Sequence, residues 1–184
     1  VSAATLPGLL EALGELFLVP GACPAGALAA AAEAGWAPPE LRAALAAMLA
    51  ADHSDLDVVY AGLFLKRVGQ PPIRLEASVR RTGAHLDPEV LEELAGAYEL
   101  AGMQPEPGIH PDHLGALLVL FARLLELLDR EAGAEALART LLQEHLEPLV
   151  AGLRADLGAA GPAFYGGAAQ ALVAACALSR RVLA

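Results

Sequence analysis

Apolar residues recur at three- and four-residue spacing along most of the chain. Leu6, Leu9, Leu10, Leu13 and Phe17 form one stripe, Leu41, Leu45, Met48 and Leu49 a second, and Leu56, Val59, Tyr60, Leu63 and Phe64 a third. That spacing places each set on one face of a helix. Leu91, Leu94, Tyr98 and Ala101 continue the pattern. A long apolar segment of about five turns follows, carrying Leu117, Leu118, Phe121, Leu124 and Leu125. Clean alternation is absent and β-branched residues are few, so the pattern predicts no sheet.

Proline and capping residues punctuate the stripes. Starts are predicted at Thr5-Leu6-Pro7, Cys23-Pro24, Pro38-Pro39, Ser54-Asp55, Asp87-Pro88 and Pro111-Asp112. At the last of these, Pro111 suits the first helical position, and Asp112 adds negative charge where the helix dipole is positive. Gly102 is placed to close the preceding helix, and Gly133 to mark the next stop. A helix from about Ala134 to Leu146 is expected to end before Pro148, with a shorter helix over Leu149 to Leu157. After a break from Gly158 to Pro162, Ala163 to Leu183 reads as a terminal helix packed closely through small residues.

The expected fold is therefore all-α, a single helical-bundle-like domain over 1–184 with about nine or ten helices and at least roughly 60% helix. Val68-Gly69-Gln70-Pro71-Pro72-Ile73-Arg74 resists a helical reading, because two prolines and a glycine force extended or turn backbone. Gly102 to His110 is a second polar loop. A division into two lobes at a proline-rich hinge, within residues 68–110, is open at this point.

The chain has 184 residues and a net charge of −10, from 22 acids against 12 bases. It is long enough for one sizeable core without metals or disulfides. The balance disfavours nucleic acid and suits a cationic peptide, although solubility alone accounts for acidity of this size. No apolar run reaches about 18 residues, so stable membrane insertion is not expected. Val1 to Phe17 contains Glu11 and Glu15 but no base, unlike a secretory segment, and the chain reads as cytoplasmic. Cys23 and Cys176 lack metal-type spacing and read as reduced thiols.

Enzyme motifs are missing. No serine lies in a Gly-x-Ser-x-Gly turn, and Gly166-Gly167 is not followed by a phosphate-binding lysine. A metal-dependent enzyme using His110, Asp112, His113 and His145 is the alternative from another class. The Glu-x-x-His pairs of di-metal bundles are not duplicated, however, so neither a metal nor another cofactor is expected. His145, ahead of Pro148, is favoured by a helix C-terminal dipole and reads as structural.

Several separated strings then fall into one order. Tyr60-Ala61-Gly62-Leu63-Phe64, Pro71-Pro72 followed by Glu76-Ala77-Ser78-Val79, Tyr98-Glu99-Leu100-Ala101-Gly102, Pro111-Asp112-His113-Leu114 and His145-Leu146-Glu147-Pro148 together cover about residues 56 to 150. In order and spacing they resemble the TorD/DmsD family of cytoplasmic chaperones for molybdenum-containing oxidoreductases. The chain departs from that family at His110, where an acid often stands, and at Leu149, where tryptophan is usual. The resemblance implies a non-enzymatic, system-specific chaperone. It would bind the twin-arginine signal peptide, or the apo form, of a molybdopterin-containing catalytic subunit and hold back export until the cofactor is inserted. A nitrate-reductase-type assembly chaperone with a retained client is the alternative within the same fold. Some members of the family exchange lobes, which leaves a homodimer open.

A peptide joining a cationic head to an apolar stretch needs a carboxylate beside an apolar groove. The resemblance places that site at His110, Pro111, Asp112 and His113. Asp112 is the expected acid, Tyr60 and Phe64 the apolar lining, and Glu76 and Ser78 contacts or braces.

Overall fold

The computed structural model describes residues 5–66, 69, 71–158 and 161–184. Its helices are α1 (Leu6–Leu18), α2 (Ala25–Glu33), α3 (Pro39–Leu49), α4 (Leu56–Tyr60), α5 (Ala77–Thr82), α6 (Pro88–Ala101), α7 (Leu114–Leu127), α8 (Ala134–Thr140), α9 (Glu147–Leu157) and α10 (Ala163–Val182). A π turn, Ala61–Leu65, continues α4, and a second, Leu141–Leu146, joins α8 to α9. Among the described residues 69% are helical and there are no strands. Glu76 and His113 form one isolated antiparallel bridge.

Much of the punctuation acts as its chemistry requires. Thr5 Oγ1 accepts from the Gly8 N–H at 3.3 Å and Asp87 Oδ1 from the Glu89 N–H at 3.0 Å, satisfying donors that a helix start leaves unpaired. Gly102 closes α6 with a left-handed φ of 64°, a conformation that costs glycine nothing.

Two boundaries differ from expectation. Pro111 is not the first residue of a helix: α7 begins at Leu114 and His113 is its N-cap. A long-range backbone pairing holds residues 111–113 out of the helix, which overrides the local preference of proline. Pro148 does not end a helix either, because helical structure is continuous from Ala134 to Leu157. Proline in a helix lacks one N–H and clashes with the carbonyl four residues earlier. Here the wider π turn, Leu141–Leu146, lies at that carbonyl and admits the ring.

Helix α1 packs along α7, and α3 along α10. At the first crossing a Cβ on Gly115 would lie 2.7 Å from the Gly14 carbonyl oxygen, so these two backbones touch. At the second, a Cβ on Gly167 would lie 2.7 Å from Met48 Cγ, the close small-residue packing expected of the terminal helix. Phe17, Phe121 and Tyr165 are among the largest side chains wholly removed from water. Each such Leu or Phe stabilises the fold by about 1.5–3 kcal/mol. One hydrophobic cluster draws on residues from Leu9 to Leu183. The elements on either side of residues 68–110 are interleaved in it, so the proline-rich segment does not separate two cores. Val68 and Gln70 of that segment lie outside the described residues. Beyond them Ile73 N–H donates to the Leu63 carbonyl at 2.9 Å, tying the extended chain to the first π turn.

Among the described residues no helix is long and apolar enough to cross a membrane. Cys23 and Cys176 are both free thiols, and burial raises the pKa of Cys176 to about 12.

Candidate functional site

The site is built where two helix starts are pinned together. Leu114 N–H donates to the Leu75 carbonyl at 2.7 Å and Ala77 N–H to the Asp112 carbonyl at 3.0 Å, flanking the Glu76–His113 bridge. The N-termini of α5 and α7 thus lie side by side.

Asp112 is wholly buried, and its Oδ2 accepts from the Ser78 N–H at 2.8 Å. A carboxylate at the start of a six-residue helix satisfies an unpaired donor and complements the helix dipole. Ser78, also wholly buried, accepts through its hydroxyl from the Asp87 N–H at 3.1 Å and so sets the entry to α6. Asp112 is the acid expected at a peptide contact, and Ser78 a contact or a brace. Both side chains are turned inward, where they brace the loops around the junction. Pro111 is half-buried, and its carbonyl accepts from Tyr98 Oη at 2.8 Å. Burial, with a smaller contribution from the Asp112 charge, pushes the Tyr98 phenol up to about 12 and keeps it a donor.

His113 caps α7 through Nδ1, which accepts from the Gly115 N–H at 3.2 Å. An acceptor nitrogen requires the neutral ring with its proton on Nε2. Burial lowers its pKa, against the opposing pull of Glu76 and Asp112, and so favours that neutral form.

Beside this junction lies a cleft of about 340 Å³. Phe17, Tyr60, Phe64 and Ile73 supply its apolar floor, and Glu76, His110 and His113 stand at its polar edge. Five of the eight expected site residues are therefore gathered there. Tyr60 and Phe64 are nearly buried, with ring centroids 5.0 Å apart, and Phe64 also meets Tyr165 at 5.3 Å and Phe17 at 5.9 Å. Tyr60 Oη donates to the Phe17 carbonyl at 2.8 Å. This cluster makes the floor rigid. Glu76 is half-buried and is the acid that lines the cleft; Arg74 lines it too.

Phe17, Ile73, Arg74 and Leu75 are lining residues that sequence reasoning missed. A signal existed for two of them, since Ile73 and Leu75 alternate with Arg74 and Glu76 directly after the prolines. That is the period of extended chain with one buried face.

His145 does not join this cleft. It is buried in the second π turn, with Nε2 3.2 Å from Glu93 Oε2 but not aligned as a hydrogen bond. Burial lowers its pKa despite the nearby Glu93 charge. His110, Asp112, His113 and His145 consequently do not assemble as the ligand set of the alternative enzyme reading. Among the described residues, the donor atoms of Glu76, His85 and His110 do lie together, within 4.8 Å of one another. A larger depression of about 880 Å³ between α9 and α10 contains none of the expected residues.

The family model of the nitrate reductase delta subunit matches residues 27–154, from α2 into α9. The chain belongs to the nitrate reductase delta subunit family. This is a family of molybdoenzyme assembly chaperones that bind subunits of their client enzymes, in agreement with the TorD/DmsD-related strings. The match contains both pinned helix starts and most of the cleft, but neither Phe17 nor α10. No curated protein matches the chain.

Proposed function

We propose that the chain is a non-catalytic chaperone that holds the twin-arginine signal peptide of a molybdopterin-containing oxidoreductase subunit in the cleft beside Glu76. The observation that carries this reading is one polar edge, Glu76 with His110 and His113, above an aromatic and aliphatic floor. A peptide with arginines ahead of an apolar stretch matches both parts: carboxylate for guanidinium, rings for the apolar residues. The chain's charge of −10 favours encounter with such a cation. Arg74 on the same cleft orients the peptide, since its arginines avoid that side and approach Glu76. Retention of the client before export places the interaction in the cytoplasm, with one peptide per monomer or per protomer of a dimer.

Family membership also supports a second reading, an assembly chaperone that retains its client without reading the arginines. Calorimetric titration with a twin-arginine peptide and its Arg→Gln counterpart, with chelator present, separates the two. Glu76→Gln is expected to weaken binding of the first peptide by about 1–3 kcal/mol and leave the second unchanged. Equal affinity of wild type for both peptides would favour the retained-client reading.

A further inference from the structure

We infer that Glu76, His85 and His110 form a binding site for a divalent transition-metal ion of the zinc class, at the rim of the cleft. Their ligand atoms lie within 4.8 Å of one another although the residues come from three separate segments. Glu76 is the N-cap of α5, His85 stands in the turn between α5 and α6, and His110 precedes the extended residues that lead into α7. Two imidazoles and one carboxylate are a donor set that Zn²⁺, Co²⁺ and Ni²⁺ accept, whereas Ca²⁺ and Mg²⁺ favour oxygen alone.

Three features of the geometry favour ligation over chance proximity. Glu76 Oε2 accepts from the Leu75 N–H at 3.1 Å, which orients the carboxylate from behind. His110 Nδ1 is buried without a hydrogen-bond partner, and such an atom is costly to leave unmet. His85 is exposed and is followed by Leu86, whose φ of 54° is the sole left-handed non-glycine conformation among the described residues. Tetrahedral ligation at ordinary bond lengths brings donor atoms to about 3.3 Å from one another. The remaining closure is a side-chain rotation of His85, which solvent leaves free to move. Three protein ligands leave a fourth position for water, and Glu76 and His110 also line the cleft.

The site shares Glu76 and His110 with the peptide reading, but metal binding needs no client and His85 does not line the cleft, so a test at His85 without peptide fails or succeeds separately from that reading. Its test is titration of tag-free, chelator-treated full chain with Zn²⁺ by calorimetry and with Co²⁺ by visible absorption. One ion per chain is expected, with the d–d bands of four-coordinate Co²⁺. His85→Ala and His110→Ala should each weaken Zn²⁺ binding by at least about tenfold, since even outer residues of metal sites contribute that much. His53→Ala, whose Nε2 lies 2.9 Å from the Met48 carbonyl, should leave the affinity unchanged. The exposed His85 variant should melt like wild type without metal, which separates ligand loss from unfolding. Absence of saturable Zn²⁺ binding, or an affinity that His85→Ala does not alter, would overturn the assignment.

Discussion

Replacing Asp112 by alanine tests whether this carboxylate supports the cleft or touches its occupant. The side chain has no exposed surface, and Oδ2 accepts from the Ser78 N–H at 2.8 Å. Removing it leaves that buried donor without a partner, which costs about 1–3 kcal/mol. Loss of negative charge at the start of α5 adds about 0.3–1 kcal/mol. An opposing contribution exists: Oδ1 is buried without a partner, so the variant also sheds part of a desolvation cost. The balance is a destabilisation of about 2 kcal/mol, which in a chain of this size lowers Tm by about 4–8 °C. Asp112→Asn keeps an acceptor for the Ser78 N–H but loses the charge and places an amide NH2 at the buried position of the unpartnered Oδ1, so its cost should be about 1–2 kcal/mol. Urea unfolding followed by circular dichroism gives both values, and peptide titration of the folded variants gives the affinity. If Asp112→Ala matches wild type within about 0.5 kcal/mol yet binds the twin-arginine peptide at least about tenfold more weakly, the carboxylate faces the ligand and the supporting role is refuted.

Two further outcomes follow from the same interior. Gly115→Ala should destabilise by about 1–3 kcal/mol, because the added Cβ would lie 2.7 Å from the Gly14 carbonyl oxygen and neither backbone can yield without parting α1 from α7; an unchanged denaturation midpoint would contradict this. His113 has a folded pKa below its ordinary 6.5, so the unfolded chain binds the extra proton more readily and stability is lost as pH falls from about 6.5 toward the folded value. His145, lowered by burial as well, contributes with the same sign. Melting His113→Asn, which retains a capping acceptor, alongside wild type at pH 7.5 and 5 isolates the first histidine: the variant should lose less, and equal losses would remove His113 from the account.

The all-helical fold was legible because its determinants are local. Apolar spacing, Thr5, Asp87 and Gly102 act within a turn or two of their own positions. What escaped the sequence depends on partners distant along the chain. The start of α7 moved from Pro111 to Leu114 because residues 75–77 pair with residues 112–114. The helix across Pro148 persists because a π turn accommodates the ring, and that widening has no simple sequence signature. The cleft was half legible: Tyr60, Phe64, Glu76, His110 and His113 converge, while Phe17 enters only through the packing of α1 on α7. His85 had no signal, since its neighbours Glu76 and His110 are brought to it by the same pairing of loops.

The Pro-Asp-His string therefore combines two tasks that its sequence makes look like one. Asp112 faces inward and holds α5; His113 faces α7 and caps it. With both helix starts fixed, Glu76, paired with His113, and His110, just ahead of the string, are left at the cleft edge as polar groups placed by the fold. Preorganisation of this kind lowers the ordering cost when a flexible peptide binds. It also makes Asp112 indirectly important to affinity. Substitutions there should weaken every ligand of the cleft to a similar extent, whereas substitutions at Glu76 should discriminate among ligands by charge. That contrast, uniform loss against selective loss, distinguishes the residue that builds the edge from the residue proposed to read the peptide.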